Sequence, residues 1–242
     1  MDQLNGKIHK VIEEIVGEAQ RVHETLDLLT TELLQAWRCY HIVNEIQQAY
    51  ANKRINCVYY LLVTTRVSCE KSVVLILTNL LSENKRYKTA NVIYLLRAFE
   101  SLACKAMKFT GVIDPKSVAD VSRTSALTLR MLDQSLLQHV SQDKERLEAL
   151  EPVIEKLKSY RNTVVAHLDR KLVNDPVSLL SVPPLHRDEI EAAFDFLFGL
   201  IRRYSWYLGY EVWFQNHSKS LAEDFEYLVS LIEEDDRRPV TS

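Results

Sequence analysis

One arginine and one histidine in a helix-forming stretch are the residues whose types and spacing could do chemistry. The stretch runs from Tyr160 to Asp169 and reads YRNTVVAHLD. At about 100° per residue, Arg161 lies about 40° from Leu157 and about 60° from Val164 on the apolar side of a helix. His167 lies about 60° to the other side of Val164, so both side chains can reach one cleft. A guanidinium is a permanent forked cation and an imidazole titrates near neutral pH, so the pair could bind an anion and move a proton.

The same geometry also has a purely structural explanation. A buried guanidinium without an acceptor is prohibitively costly, so Arg161 on an apolar stripe must meet a partner. Glu70 is a candidate for that partner, and His167 would then be a core histidine with satisfied hydrogen bonds. Spacing alone leaves both explanations open.

The composition limits the fold that positions these residues. The chain has 242 residues with 5 Gly and 6 Pro, whereas average usage would give about 29 of these turn-formers. A sandwich or barrel needs many tight turns and is therefore excluded. The sequence contains no Gly-rich phosphate loop, no His-Glu-x-x-His and no Gly-x-Ser-x-Gly, which excludes the usual nucleotide-binding, zinc-protease and hydrolase sites.

Hydrophobic periodicity and capping signals predict an all-α fold. It is a multi-helix bundle of about seven or eight helices, with a long N-terminal helical segment and mostly antiparallel neighbours. A turn is expected at residues 51–53. The helix at 55–81 is apolar nearly all round, which predicts a central, buried helix. Further helices are predicted at 90–109, 115–140, 143–150, 153–172, 188–214 and 219–234.

The N-terminal segment carries a heptad stripe, because its apolar or small residues are spaced four and three apart in alternation. We favour packing of this stripe within the chain, and a dimer seam is the alternative. A helical adaptor is a third interpretation, and it predicts a long exposed apolar stripe. The stripe consists of Ile8, Ile12, Ile15, Ala19, Val22, Leu26, Leu29, Leu33, Ala36, Tyr40 and Val43.

Charge and cysteine content restrict partners and location. The net charge is −3, which excludes a strongly basic nucleic-acid coat but leaves room for a local basic patch. The N-terminus is charged throughout, and no apolar run approaches the roughly 20 residues of a membrane span. These features predict a soluble, cytoplasmic protein with no membrane partner. The four cysteines are far apart, which favours reduced core thiols.

A late aromatic cluster could stack nucleic-acid bases, since two arginines stand beside it. Its helical spacing nevertheless favours core packing, which is our prediction. The cluster comprises Tyr204, Trp206, Tyr207, Tyr210, Trp213 and Phe214, with Arg202 and Arg203.

The segment Arg161-Asn162-x4-His167 resembles the Arg-x(4–6)-His signature of the HEPN superfamily. Its Ala-His-Leu-Asp continuation is similar to the abortive-infection, AbiU-like branch. Residues 77–96 also resemble that branch where its second helix leads to its third, although Asn79 and Ser82 stand where the branch often has Arg and Asp. Asp169 occupies the position of a tyrosine that is modified in some toxins.

The resemblance implies a metal-independent endoribonuclease without a cofactor, acting as a toxin or phage-defence effector. In that family role, His167 would be the general base or acid and Arg161 would stabilise the phosphate in the transition state. Asn162 would bind phosphate or hold Arg161, with Glu70 and Asp169 in support. The implied partners are RNA as substrate, a second copy across a two-fold axis, and an antitoxin protein.

The resemblance also suggests a division of the chain. Residues 1–36 would form the heptad-patterned helix, 37–214 a HEPN-like helical bundle, and 215–242 a C-terminal helix and frayed tail. The alternative function is a catalytically silent HEPN-type module for dimerisation or nucleotide binding. The two functions differ in whether Arg161 and His167 open onto a solvent cleft or are closed in the core.

Overall fold

The computed structural model describes residues 2–52, 59–83, 91–110, 135–162 and 185–209, together with Glu223, Tyr227 and Ser230. Across these residues the chain forms helices and no strand, which confirms the predicted all-α class. Further predicted helices fall in segments outside these ranges. The helices are α1 (Asp2–Ala51), α2 (Tyr59–Leu81), α3 (Val92–Thr110), α4 (Ser135–Ala149), α5 (Glu151–Tyr160) and α6 (Arg187–Tyr207).

The heptad stripe of α1 packs inside the chain. Nine of its members are buried at 7% exposure or less, from Ile15 at 5% to Val43 at 7%. This confirms the interpretation as intramolecular packing. The adaptor interpretation is wrong, because it required this stripe to be exposed. The helix continues unbroken to Ala51 and ends at a turn at Asn52, within the predicted turn. The domain boundary suggested at residues 36 and 37 therefore lies inside α1.

Helix α2 is buried on one side only. Its apolar content predicted a helix buried all round, but Leu61 is 62% exposed and Leu75 is 37% exposed. Val73, Val74 and Leu77 lie at 4% exposure or less. The prediction was wrong because apolar composition does not determine how many neighbours a helix has.

The proline at 152 separates two helices. The sequence predicted one helix ending near Val140 and a short one from Asp143, but α4 runs through both without a break. A turn at Leu150 follows, and α5 begins at Glu151 with Pro152 in its first turn. Proline is tolerated there because the first helical N–H groups have no partner within the helix. Pro152 thus opens a new helix, close to the predicted start at residue 153.

Helix α6 ends earlier than predicted. The aromatic pattern predicted a helix to Phe214, but α6 stops at Tyr207 and Gly209 adopts a φ of 86°. Only glycine adopts this left-handed conformation at little cost, and it commonly ends helices. The Gly209 N–H donates to the Trp206 carbonyl at 3.0 Å, closing the end of the helix.

The chain divides into two compact units. The first comprises Met1–Thr31, Asn79–Lys156 and Leu185–Val212. Within it α4 packs against both α3 and α6. The ring of Phe99 lies 4.4 Å from that of Tyr204, and both residues are fully buried. Lys144 on α4 pairs with Glu100 on α3 at 2.7 Å, at the edge of this core.

The second unit comprises Glu32–Thr78, Leu157–Pro184 and Trp213–Ser242. A small apolar cluster in it joins Ile46 and Ala49 of α1 to Leu62 of α2. No helix within the described ranges combines the length and the apolar character needed to cross a lipid bilayer. The predicted tail at 215–242 lies outside the described residues, except for three helical positions.

Candidate functional site

Helix α5 places Arg161 at its C-terminal end. Ile154 and Leu157 are 2% and 0% exposed and anchor one side of this helix. Beyond Tyr160 the regular α-helical hydrogen bonding widens to a π-type turn at Arg161 and Asn162. Such widened turns occur frequently at functional sites.

Asn162 orients the guanidinium of Arg161. The Nε and Nη2 groups of Arg161 both donate to the Oδ1 of Asn162, at 3.2 and 3.1 Å. Asn162 is exposed and Arg161 is half-buried, so this contact lies at the surface. A guanidinium has five N–H donors, and the contact uses two of them. Holding Arg161 is one of the two roles that the family resemblance suggests for Asn162.

Glu70 has a partner within its own helix. Its Oε1 lies 3.2 Å from the Nε of Arg66, one turn earlier on α2, at the four-residue spacing that suits an ion pair within a helix. Burial raises the pKa of Glu70, and the charge of Arg66 opposes that shift. In the described structure Glu70 therefore contacts Arg66, while Arg161 donates to Asn162. The two groups considered as partners from the sequence thus each have another contact.

Tyr160, directly before Arg161, belongs to the same electrostatic neighbourhood. Burial raises the pKa of its hydroxyl, the charge of Glu70 raises it further, and Arg66 opposes both. The hydroxyl therefore stays protonated at physiological pH and can donate a hydrogen bond. The sequence did not indicate a role for Tyr160. Its hydroxyl is affected by Glu70 and Arg66 only because α2 lies near the end of α5 in the second unit. His167 and Asp169 lie outside the described residues.

Comparison with known proteins adds to this geometry. The family model described as AbiU2, a HEPN family, matches residues 19–228. The chain belongs to the AbiU2 family of HEPN proteins. No curated protein and no solved structure matches it. The matched span includes Arg161, Asn162 and His167, so this AbiU2-family chain carries the signature within the region that defines the family.

A polar cluster in the first unit of the AbiU2-family chain was missed by sequence analysis. The hydroxyl of Tyr207 on α6 lies 2.8 Å from the Ser135 Oγ and 2.7 Å from the His139 Nδ1, both on α4. Tyr207 is 1% exposed, so its hydroxyl is satisfied inside the protein. His139 is half-buried in α4.

One turn further along α4, Asp143 carries a buried charge. Its side chain is 1% exposed, and both of its oxygens accept from the Nη1 of Arg203. The Nη1 of Arg146 lies 3.7 Å from the Oδ1 of Asp143. Burial and the charge of Asp143 raise the pKa of the Tyr204 hydroxyl well above its usual range. The available signal was Ser135, His139 and Asp143 at every fourth position, which the predicted helix break near residue 140 concealed.

The described cysteines are free thiols. Cys39 on α1 and Cys69 on α2 are half-buried, and their side chains are hydrogen-bonded to each other. Cys104 is exposed, which differs from the predicted core position, and Cys57 is outside the described residues. Within the described ranges, no three or more His, Cys, Asp or Glu side chains are grouped so as to hold a metal ion.

We expect iodoacetamide at pH 8 to modify Cys69 far more slowly than Cys104. Burial and the neighbouring Cys39 raise the pKa of Cys69 to about 11. A thiol with that pKa is only about 0.1% thiolate at pH 8, and the thiolate is the reactive form. Timed quenching and peptide mass spectrometry measure both rates. In urea the two rates should converge, and equal rates in the native protein would contradict the expectation.

Proposed function

We propose that this AbiU2-family protein is a metal-independent endoribonuclease of a phage-defence or toxin system. Family membership supports an abortive-infection HEPN domain. The observation that carries the proposal is the position of Arg161, which Asn162 holds at the surface end of α5. A fixed guanidinium at the surface suits an anionic ligand, and a phosphodiester fits its forked donors.

In the proposed reaction the RNA supplies its own nucleophile. His167 takes the proton of a 2′-hydroxyl, and the freed oxygen attacks the adjacent phosphorus. The bond from phosphorus to the 5′-oxygen breaks, and that oxygen receives a proton. The products are a 2′,3′-cyclic phosphate and a 5′-hydroxyl. Arg161 donates to the non-bridging oxygens, where negative charge develops in the transition state.

One chain supplies one Arg161 and one His167, whereas the reaction needs a base and an acid. In our proposal His167 of a second copy gives the proton to the leaving oxygen, so two chains meet around one phosphate. The protein would therefore act as a two-fold dimer. RNA is its substrate, and an antitoxin protein is a further proposed partner.

We expect purified protein to cleave total RNA in the presence of EDTA and to leave 2′,3′-cyclic phosphate ends. No step of the proposed reaction uses a metal. Electrophoresis detects fragments, and labelling by a kinase with and without phosphatase treatment identifies the ends.

His167→Ala protein purified in parallel controls for contaminating nucleases and should leave the RNA intact. Cleavage that EDTA abolishes and Mg²⁺ restores would contradict the mechanism. RNA that both proteins bind and neither cleaves would favour a catalytically silent module instead.

A further inference from the structure

The outward side of α6 presents small, oppositely charged and aromatic residues along one line of the helix surface. Residues 192, 195, 199, 202 and 206 are spaced alternately three and four apart, and all are exposed except the half-exposed Gly199. We name this surface the 192–206 face. Opposite it, Phe194, Leu197, Ile201 and Tyr204 are buried in the first unit. Alternating spacings of three and four on a straight helix form a seam that can pack along a second helix.

Gly199 lies at the centre of the 192–206 face. A Cβ added at this position would meet nothing within 4 Å, so its own chain does not need a glycine there. Glycine in a helix interior is less favourable than alanine. The feature it provides is a bare backbone that another backbone can approach closely.

The charges and sizes on this face are complementary to themselves. Asp195 and Arg202 are exposed and have opposite charges, one on each side of Gly199. They lie seven residues apart, about 10.5 Å along the axis, which is too far for a pair within one helix. Trp206 is 44% exposed and lies seven residues after Gly199. The small, exposed Ala192 lies seven residues before Gly199.

We propose that a second copy of this chain docks on the 192–206 face, with the two α6 helices antiparallel and crossing at Gly199. In that arrangement residues pair when their numbers sum to about 398. Asp195 then faces Arg202 of the second copy, and Trp206 packs on its Ala192, twice by symmetry. A parallel pair would instead place like charges opposite each other. An isologous two-fold contact needs such self-complementarity.

The pairing does not depend on RNA cleavage, so it is tested without RNA. A single pair of helices about 31 Å long is at the low end of interface size. We expect a dissociation constant on the order of 10 µM, measured by sedimentation equilibrium from about 1 to 200 µM. A wild-type protein that stays at 28.1 kDa throughout would overturn the proposal.

Charge reversal tests the register. Asp195→Arg alone and Arg202→Asp alone should each weaken self-association at least about tenfold. Mixed with each other, the two variants should associate, because one chain then presents two cations and the other two anions. The variant with both changes should dimerise as the wild type does. Association that is unchanged in both single variants would overturn the proposal, and circular dichroism verifies that each is folded.

Glycine substitutions provide a matched control. Gly199→Leu should abolish the dimer, whereas Gly17→Leu should leave it intact, because a Cβ added at Gly17 on α1 also meets nothing within 4 Å and Gly17 lies outside the proposed contact. The reverse result would place the contact on α1 and refute the proposal. Trp206→Ala should weaken the dimer as well. If it instead weakened RNA binding without changing the association constant, the face would be a base-stacking platform and not a dimer contact.

Discussion

Arg161→Ala should lower the rate of RNA cleavage by about 10²- to 10³-fold, the usual loss when one donor to a developing oxyanion is removed. The fold should change little. If Arg161 were paired with Glu70, as the sequence allowed, this substitution would lower the free energy of unfolding by about 3 kcal/mol. In the structure Glu70 contacts Arg66 and Arg161 contacts the exposed Asn162, so we expect a loss of about 1 kcal/mol or less.

Two further variants make the Arg161 experiment specific. Arg161→Lys keeps the charge but loses the fork, so it should recover little of the activity. Arg97→Ala removes an arginine whose side chain is 62% exposed on α3, and it should cleave like the wild type. Rates are measured under single-turnover conditions, with thermal midpoints measured alongside. Unimpaired cleavage by Arg161→Ala, or a loss of several kcal/mol on removing Arg161, would refute its assignment to the reaction.

Arg203→Met should destabilise the protein by about 3 kcal/mol, more than any change we expect at the candidate site. The substitution leaves the carboxylate of Asp143 at 1% exposure, with Arg146 at 3.7 Å as its remaining cation among the described contacts. Asp143→Leu should cost less, about 1 to 2 kcal/mol. The side chain of Arg203 is 28% exposed, so its guanidinium can turn towards water.

The double variant Asp143→Leu/Arg203→Met isolates the coupling between the two charges. A buried ion pair replaced by apolar residues of similar volume is often tolerated, so the double variant should be more stable than Arg203→Met alone. Urea unfolding followed by circular dichroism gives the free energies of unfolding. Equal losses in the two single variants would show that Asp143 is not the more strongly desolvated partner.

Local signals in the sequence predicted much of the helical framework. The heptad steps of α1 predicted a continuous buried stripe, because only a helix brings residues three and four apart onto one face. Pro152 indicated either a kink or the start of a new helix, and it lies in the first turn of α5. The end of α6 was missed because its aromatic pattern outweighed Gly209, whose left-handed φ ends the helix.

The candidate site was only partly predictable. The spacing of Arg161 and His167, with Asn162 directly after the arginine, identified the signature, because a short motif can be read from neighbouring residues alone. The polar cluster of Ser135, His139 and Tyr207 and the ion pair of Asp143 and Arg203 were not identified. The contacting residues lie 60 to 72 positions apart in sequence, and no local pattern specifies which distant residue will meet a buried carboxylate or hydroxyl.

The sequence by itself determined the helical class, the HEPN signature and the AbiU-like relationship, because composition, periodicity and short motifs are local properties. The tertiary structure decided which partner each charge takes. Glu70 contacts Arg66, Asp143 contacts Arg203, and Arg161 is oriented by Asn162. It also decided that the stripe of α1 packs within its own chain and that the 192–206 face of α6 is exposed. Burial and charge pairing depend on which elements lie side by side, and that is a property of the packed chain as a whole.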